Sequence, residues 1–323
     1  MRGKGLPYHV NIGIERTPGK GDGHPMTREE LKHIQDNGHE VSLYYMLYDD
    51  DNYDITPERI KKQSDMFVER FGFRPVCTLP YNCCWKGWAE PARWMAAAGG
   101  KADNSFFSFP YRPYDHPSRN SPYFGFAQGT GYPFFFWDDA EHNNERIPFI
   151  EEPVVCYELG HRALGTTNRP HDTKTSYSHE VHAPIDVAAE YHLALNFFYH
   201  QQSITNNQVV REAIEEILRY VEYRGINVLH LGANAAAEWW FARSAAQVEN
   251  VVCQDDTVNF SIACDYTGGI VVKALLKDDH PPEVTCDDQP AKWEIKKDFC
   301  GNWVYVTVPA GRHQIGIRGV LNQ

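Results

Sequence analysis

The sequence predicts an α/β domain with a parallel, barrel-like sheet, followed by a small all-β domain beginning near Gln247. Three observations predict it. Short apolar runs alternate with helical stretches over most of the chain, which is the pattern of strand–helix–strand units. After Gln247 the texture changes to closely spaced alternating strands. The length of 323 residues also exceeds the usual size of one hydrophobic core, so domains at 1–247 and 248–323 are expected.

Tyr8–Ile14 reads as the first strand. Thr27 and Glu30 form a capping box that opens a helix to about Asn37, and Gly38 ends it before the strand Glu40–Tyr45. Thr56 and Pro57 open a second helix that runs to about Phe71. Arg74–Thr78 is strand-like and Ala89–Ala98 helical. Much of Asp103–Asn144 is rich in Pro, Gly, Asn and aromatics and reads as long loops, which on such scaffolds usually carry function. Pro153–Tyr157 is a short buried strand ending in Glu158, and the polar stretch Gly160–His182 leads into a helical pattern. The strand Leu195–Tyr199 follows. Asn206–Glu222 carries an apolar stripe at Val209, Val210, Ala213, Ile214, Ile217, Leu218 and Val221, as an amphipathic helix requires. A strand at Asn227–Leu231 and a helix at Asn234–Ala245 complete the first domain. Beyond them, Thr257–Cys264, Ile270–Leu276, Lys292–Lys297, Trp303–Val308 and His313–Ile317 alternate between Gly, Asp and Pro turns, which predicts a small β-sandwich.

Composition narrows the function classes. The net charge is −12 and no run of Lys or Arg forms a phosphate-binding stripe, which argues against nucleic acid as a partner. No apolar stretch approaches the roughly 20 residues of a membrane span. Met1–Gly5 lacks the apolar core of a signal peptide, so the chain reads as cytoplasmic at face value, as would a secreted form with its leader removed. Aromatics make up 13% of residues, which fits either flat-ligand surfaces or core packing. The eight cysteines form no CxxC pair, and the four beyond Gln247 could pair in three ways in an oxidising compartment. No GxSxG elbow and no glycine-rich phosphate loop occurs.

Leu31–Glu40 (LKHIQDNGHE) resembles the helix-then-GHE signature of the polysaccharide deacetylases, the NodB-homology domain of carbohydrate esterase family four. The resemblance continues in order through Trp85–Trp88, Arg93-Trp94 before Gly99-Gly100, Ala102–Ser105, Ile150–Glu158, Phe197–His200 and Tyr223–Arg243. It covers most of residues 8–247 and is closest to divergent members with an additional C-terminal β domain. It implies a distorted (β/α) barrel that removes acetyl groups from sugars. It also implies a divalent metal, usually zinc, on one Asp and two His, with a second Asp as base and a late-strand His as acid. Tyr44 and Tyr48 stand where the two metal-binding histidines would fall, and no Asp-Asp pair follows an apolar strand near the N-terminus. The family's first strand is thus expected to be missing, which would leave an open sheet edge and favour a homo-oligomer.

The expected catalytic residues are His200, at the end of LNFFYH, with Glu158 and Asp103. Tyr44, Tyr48, Trp85 and Trp88 are the expected carbohydrate contacts. His179 and His182, one helical turn apart with His161 and His171 upstream, are candidate metal ligands. The expected function is a polysaccharide deacetylase-like hydrolase acting on an acylated carbohydrate or a related ester or amide. A carbohydrate-binding protein that has lost catalysis, or a truncated reading frame, is the alternative.

Overall fold

The computed structural model describes residues 7–15, 26–49, 52–106, 126, 130–157, 181–206, 208–298 and 300–321. The chain divides into two compact units, Met1–Ala237 and Glu238–Gln323.

The first unit is built on a mixed sheet. Its elements are β1 (His9–Gly13), α1 (Arg28–Asp36), β2 (Glu40–Tyr45), β3 (Tyr48–Asp49), β4 (Asn52–Tyr53), α2 (Pro57–Phe71), β5 (Cys77–Pro80), α3 (Glu90–Ala97) and β6 (Ala102–Asp103). They continue with β7 (Phe134–Trp137), β8 (Arg146–Glu151), β9 (Val154–Tyr157), α4 (Ala183–Tyr191), β10 (Asn196–Phe198), α5 (Gln201–Asn206), α6 (Gln208–Tyr223) and α7 (Ala233–Ala245), whose last turns pass into the second unit. The principal sheet has the order β1-β2-β5-β6-β8-β7, parallel throughout except for β7 against β8. The described strands do not close into a barrel: β1 is paired only by β2, and β9 with β10 forms a separate parallel ladder. Pro153, which has no N–H to give a ladder, lies between β8 and β9.

Local chemistry accounts for the helix boundaries. Thr27 and Glu30 make the reciprocal capping box at α1. Thr56 accepts from Arg59 N–H ahead of Pro57, and Gly72, at φ 84°, ends α2 in a conformation that costs a residue with a Cβ. The strands alternate as a two-faced sheet must. Val41, Leu43 and Tyr45 enter a core with Ile60 and Phe67 of α2, Met95 of α3 and Phe149 of β8. Glu40, Ser42 and Tyr44 project to the opposite face. The Tyr45 hydroxyl, buried, is within 2.9 Å of Ser64 Oγ.

Three expectations are corrected. Asn227–Leu231 forms no strand: it pairs with no described neighbour, and Leu229 is 76% exposed. The strand expected at Arg74–Thr78 is displaced to Cys77–Pro80, past Pro75. The region read as loops contains β7, which extends the sheet as an antiparallel edge.

The second unit contains two antiparallel sheets. One has the order β11 (Gln247–Gln254), β12 (Thr257–Cys264), β18 (Gly311–Arg318), β14 (Glu283–Cys286) and β15 (Gln289–Pro290). The other has β13 (Ile270–Leu275), β17 (Gly301–Val308) and β16 (Trp293–Asp298). Phe260, Ile262, Val284, Ile315 and Ile317 of the first share one apolar cluster with Val304, Val306 and Val308 of the second. The eight cysteines are free thiols.

Candidate active site

Parallel strands leave their C-terminal ends open to the loops that follow, and ligand sites in such sheets gather there. In the first unit those ends carry carboxyl groups. Asp103 closes β6 and Glu151 closes β8, and the two are direct register partners across the parallel ladder. Both are fully buried. Asp103 Oδ2 accepts the backbone N–H of Ser105 at 3.0 Å and the Ser105 hydroxyl, and Thr78 Oγ1 lies 3.4 Å from Oδ1. Glu151 Oε1 accepts Phe106 N–H at 2.9 Å, while its Oε2 is buried with no hydrogen-bond partner.

This environment separates the two acids. Burial pushes the Asp103 carboxyl up to about 6, with the Ser105 hydroxyl and N–H, Glu151 and Thr78 restraining the rise. Burial raises Glu151 much further, and the Asp103 charge beside it adds to the effect. Near neutral pH the pair therefore holds a proton on Glu151 and a carboxylate on Asp103. Burial and then the Asp103 charge also push the Cys83 thiol up to about 12, so it is no nucleophile at rest.

A third acid lies on the other face of the sheet. Glu152 Oε2 accepts Asn104 Nδ2 at 2.8 Å and stands 3.8 Å from Cys77 Sγ, and Oε1 is buried without a partner. Burial pushes Glu152 up to about 8, so it too is protonated at neutral pH. The polar layer continues from Cys77, whose N–H meets Asn234 Oδ1 at 3.1 Å, as does Ser42 Oγ at 2.9 Å. The residues that follow Gly232 dock on Glu40: its carboxylate accepts Asn234 N–H at 2.7 Å and Ala235 N–H at 3.0 Å, at the N-terminus of α7. His9 reaches the same carboxylate at 3.3 Å and Asn11 at 3.2 Å. A Cβ at Gly232 would lie 2.3 Å from Glu40 Oε2, so a side chain there would push the carboxylate off its two N–H donors. The Glu40 of the GHE motif is thus a helix cap that ties β2 to α7.

The structure distributes the expected site residues unevenly. Asp103 stands at the centre of the buried acids. Tyr44, the penultimate residue of β2, lies on the polar face, with its ring 5.7 Å from that of Tyr81. Tyr48 lies in the short hairpin β3–β4. Trp85 is packed rather than presented: it stacks on Phe136 at 5.0 Å, meets Phe106 edge-on at 4.8 Å, and gives its indole N–H to Trp88 O. Trp88 is 73% exposed. His200 follows β10, with its ring edge-on to Phe198 at 5.3 Å. His182 is committed to Glu216 at 2.6 Å and stacks on Tyr220 at 3.7 Å, joining α4 to α6. Glu158, His161, His171 and His179 lie outside the described residues.

The donors at this site do not fit zinc. Tyr44 stands where the resemblance expects a histidine, and a phenol is a poor zinc ligand at neutral pH. Among the described residues, the groups of three potential ligands lie elsewhere, at Asp138, Asp139 and His142 and at Cys286, Asp287 and His313. Sequence reading missed Glu151 and Glu152, although two acids closing the apolar run of β8 are a visible signal for buried, perturbed carboxyls.

No protein-family model matches the chain, and no curated protein matches it. Solved structures show a distant likeness. One is a Mycobacterium smegmatis protein assigned as a polysaccharide deacetylase, 15% identical, with 67% of this chain covering 68% of that one at a TM-score of 0.44. A Bacteroides fragilis protein assigned as an alpha-galactosidase is 10% identical, covers 97% of this chain and 62% of its own, and scores 0.27. A family 39 glycoside hydrolase from Bacteroides cellulosilyticus is 8% identical, covers 98% and 75%, and scores 0.30.

Proposed function

We propose that the first unit is a hydrolase acting on an acylated carbohydrate, with Asp103 as general base and Glu151 as general acid. The observation that carries this reading is the pair itself. Two neighbouring carboxyls close adjacent parallel strands, one poised near 6 and the other held protonated. Acids separated in this way suit proton transfer in both directions at neutral pH. In ester or amide hydrolysis, Asp103 takes a proton from water as the water oxygen bonds to the acyl carbon. Glu151 gives its proton to the departing alcohol or amine as the acyl C–O or C–N bond breaks. Passage of a proton from Asp103 to Glu151 restores the starting state. Trp88 supplies an exposed aromatic face of the kind that sugar rings stack on.

The test is acetate release by the full chain from O- and N-acetylated oligosaccharides and from a chromogenic acetyl ester. Asp103→Asn and Glu151→Gln should each lower kcat/KM by at least about 100-fold, the usual contribution of a general acid or base. Activity in either variant equal to that of the unaltered chain would sink the assignment. A second reading, carbohydrate binding without turnover, is favoured by the complete burial of both acids. Glycan binding by calorimetry with no acetate released would support it instead.

A further inference from the structure

We propose that Cys286, Asp287 and His313 in the second unit form a binding site for a thiophilic divalent cation of the zinc type. Sγ of Cys286, a carboxylate oxygen of Asp287 and a ring nitrogen of His313 all lie within 4.8 Å of one another. The scaffold holds them there. β14 ends at Cys286, and Asp287 and Asp288 turn the chain into β15 with φ of 51° and 60°, as a two-residue hairpin turn demands. The turn is fastened to β18, with Asp287 N–H giving to Gln314 O at 2.8 Å and Gln314 N–H giving to Asp287 Oδ1 at 2.8 Å. Asp287 Oδ2 is left to face His313 Nδ1 at 2.7 Å.

The histidine supplies a second, independent observation. Its Nε2 lies 3.2 Å from Ala310 O, the outer-shell carbonyl arrangement that holds Nε2–H and aims Nδ1 at a metal. Without a cation, a proton on His313 would bridge Nδ1 and Oδ2. A cation would replace that proton and the Cys286 thiol proton, releasing both to solvent. Thiolate, imidazole and carboxylate together suit Zn²⁺ or Co²⁺ over Mg²⁺ or Ca²⁺, and three protein donors leave one tetrahedral position for water or a ligand. The other three-residue group is less apt, because Arg93 already stands 3.4 Å from Asp138.

The experiment is a titration of the full chain, reduced and stripped of metal, with Zn²⁺ by calorimetry and with Co²⁺ by absorbance. The expected result is one equivalent bound with a Kd of about 1 µM or tighter, and a thiolate-to-cobalt charge-transfer band. Outer-shell partners are worth about 10- to 100-fold in metal affinity, so Cys286→Ser and Asp287→Asn should each weaken binding at least that much. Cys286→Ser should also abolish the band. Cys253→Ser and Cys300→Ser, which alter exposed thiols elsewhere, should leave both unchanged, and far-UV circular dichroism checks that each variant is folded. Absence of binding at tens of micromolar, or binding indifferent to Cys286→Ser, overturns the site and leaves His313 and Asp287 as a turn-fastening ion pair.

Discussion

Replacing Glu40 by Gln should loosen the attachment of α7 to the sheet, and its size follows from the contacts. The Glu40 carboxylate takes two backbone N–H groups at 2.7 and 3.0 Å while also facing His9. Hydrogen bonds to a charged group are worth about 1.5–3 kcal/mol each, and Gln keeps one acceptor oxygen of the two. Losing one such bond and part of the charge–dipole term gives about 2 kcal/mol. With a urea slope of about 2.5 kcal/mol per molar, the midpoint of the helical far-UV signal should fall by about 0.8 M. The effect should depend on pH. Burial raises the Glu40 pKa, but the hydrogen bonds from His9, Asn234 and Ala235 outweigh it and leave the group below its ordinary 4.5. The stability it contributes is therefore present above the ordinary value and lost as the pH falls through the folded value. The difference between Glu40→Gln and the unaltered protein should persist at neutral pH and shrink as the pH is lowered below 4.5. An unchanged midpoint, or a difference just as large in acid, would refute the capping account.

Other predictions follow from the same geometry. Gly232→Ala forces a Cβ to within 2.3 Å of the Glu40 carboxylate and should destabilise by about 1–3 kcal/mol, measured by the same urea transition. Trp85→Ala, which removes a packed ring, should cost about 3–5 kcal/mol, whereas Trp88→Ala should change stability by less than about 0.5 kcal/mol and lower glycan affinity, read by melting and calorimetry together. Glu152 carries a raised pKa of about 8, the reverse of the usual carboxylate case, so folding favours its protonated form. Its stabilising effect is present below the ordinary glutamate value and lost as pH rises through about 8. Glu152→Gln should therefore gain in melting temperature relative to the unaltered protein as pH is raised from 5 to about 9; a constant difference would show that Glu152 is not protonated in the fold.

Much of the fold was legible because local chemistry decided it. Thr27 with Glu30 and Thr56 with Pro57 specify helix starts wherever the rest of the chain goes, and the alternation of Val41, Leu43 and Tyr45 fixes which face of β2 is buried. Features set by partners distant in sequence were not legible. β11 is exposed along its whole length and offers no burial period to read. Asn227–Leu231 has the apolar composition of a strand but pairs with no neighbour among the described residues. Glu40 was visible as part of a motif, but its role depends on Asn234 and Ala235 almost two hundred residues away. In the site, Asp103 was legible only through the resemblance carried by Ala102–Ser105. Its coupling to Glu151 was not, because only the parallel register of β6 and β8 brings them together.

The most direct test of the proposed acid–base pair is the pH dependence of kcat/KM for acetate release, compared between the unaltered chain and Asp103→Asn. General-base action by Asp103 predicts an ascending limb near pH 6 that disappears in Asp103→Asn along with most of the activity. The same limb surviving in Asp103→Asn at comparable activity would contradict it.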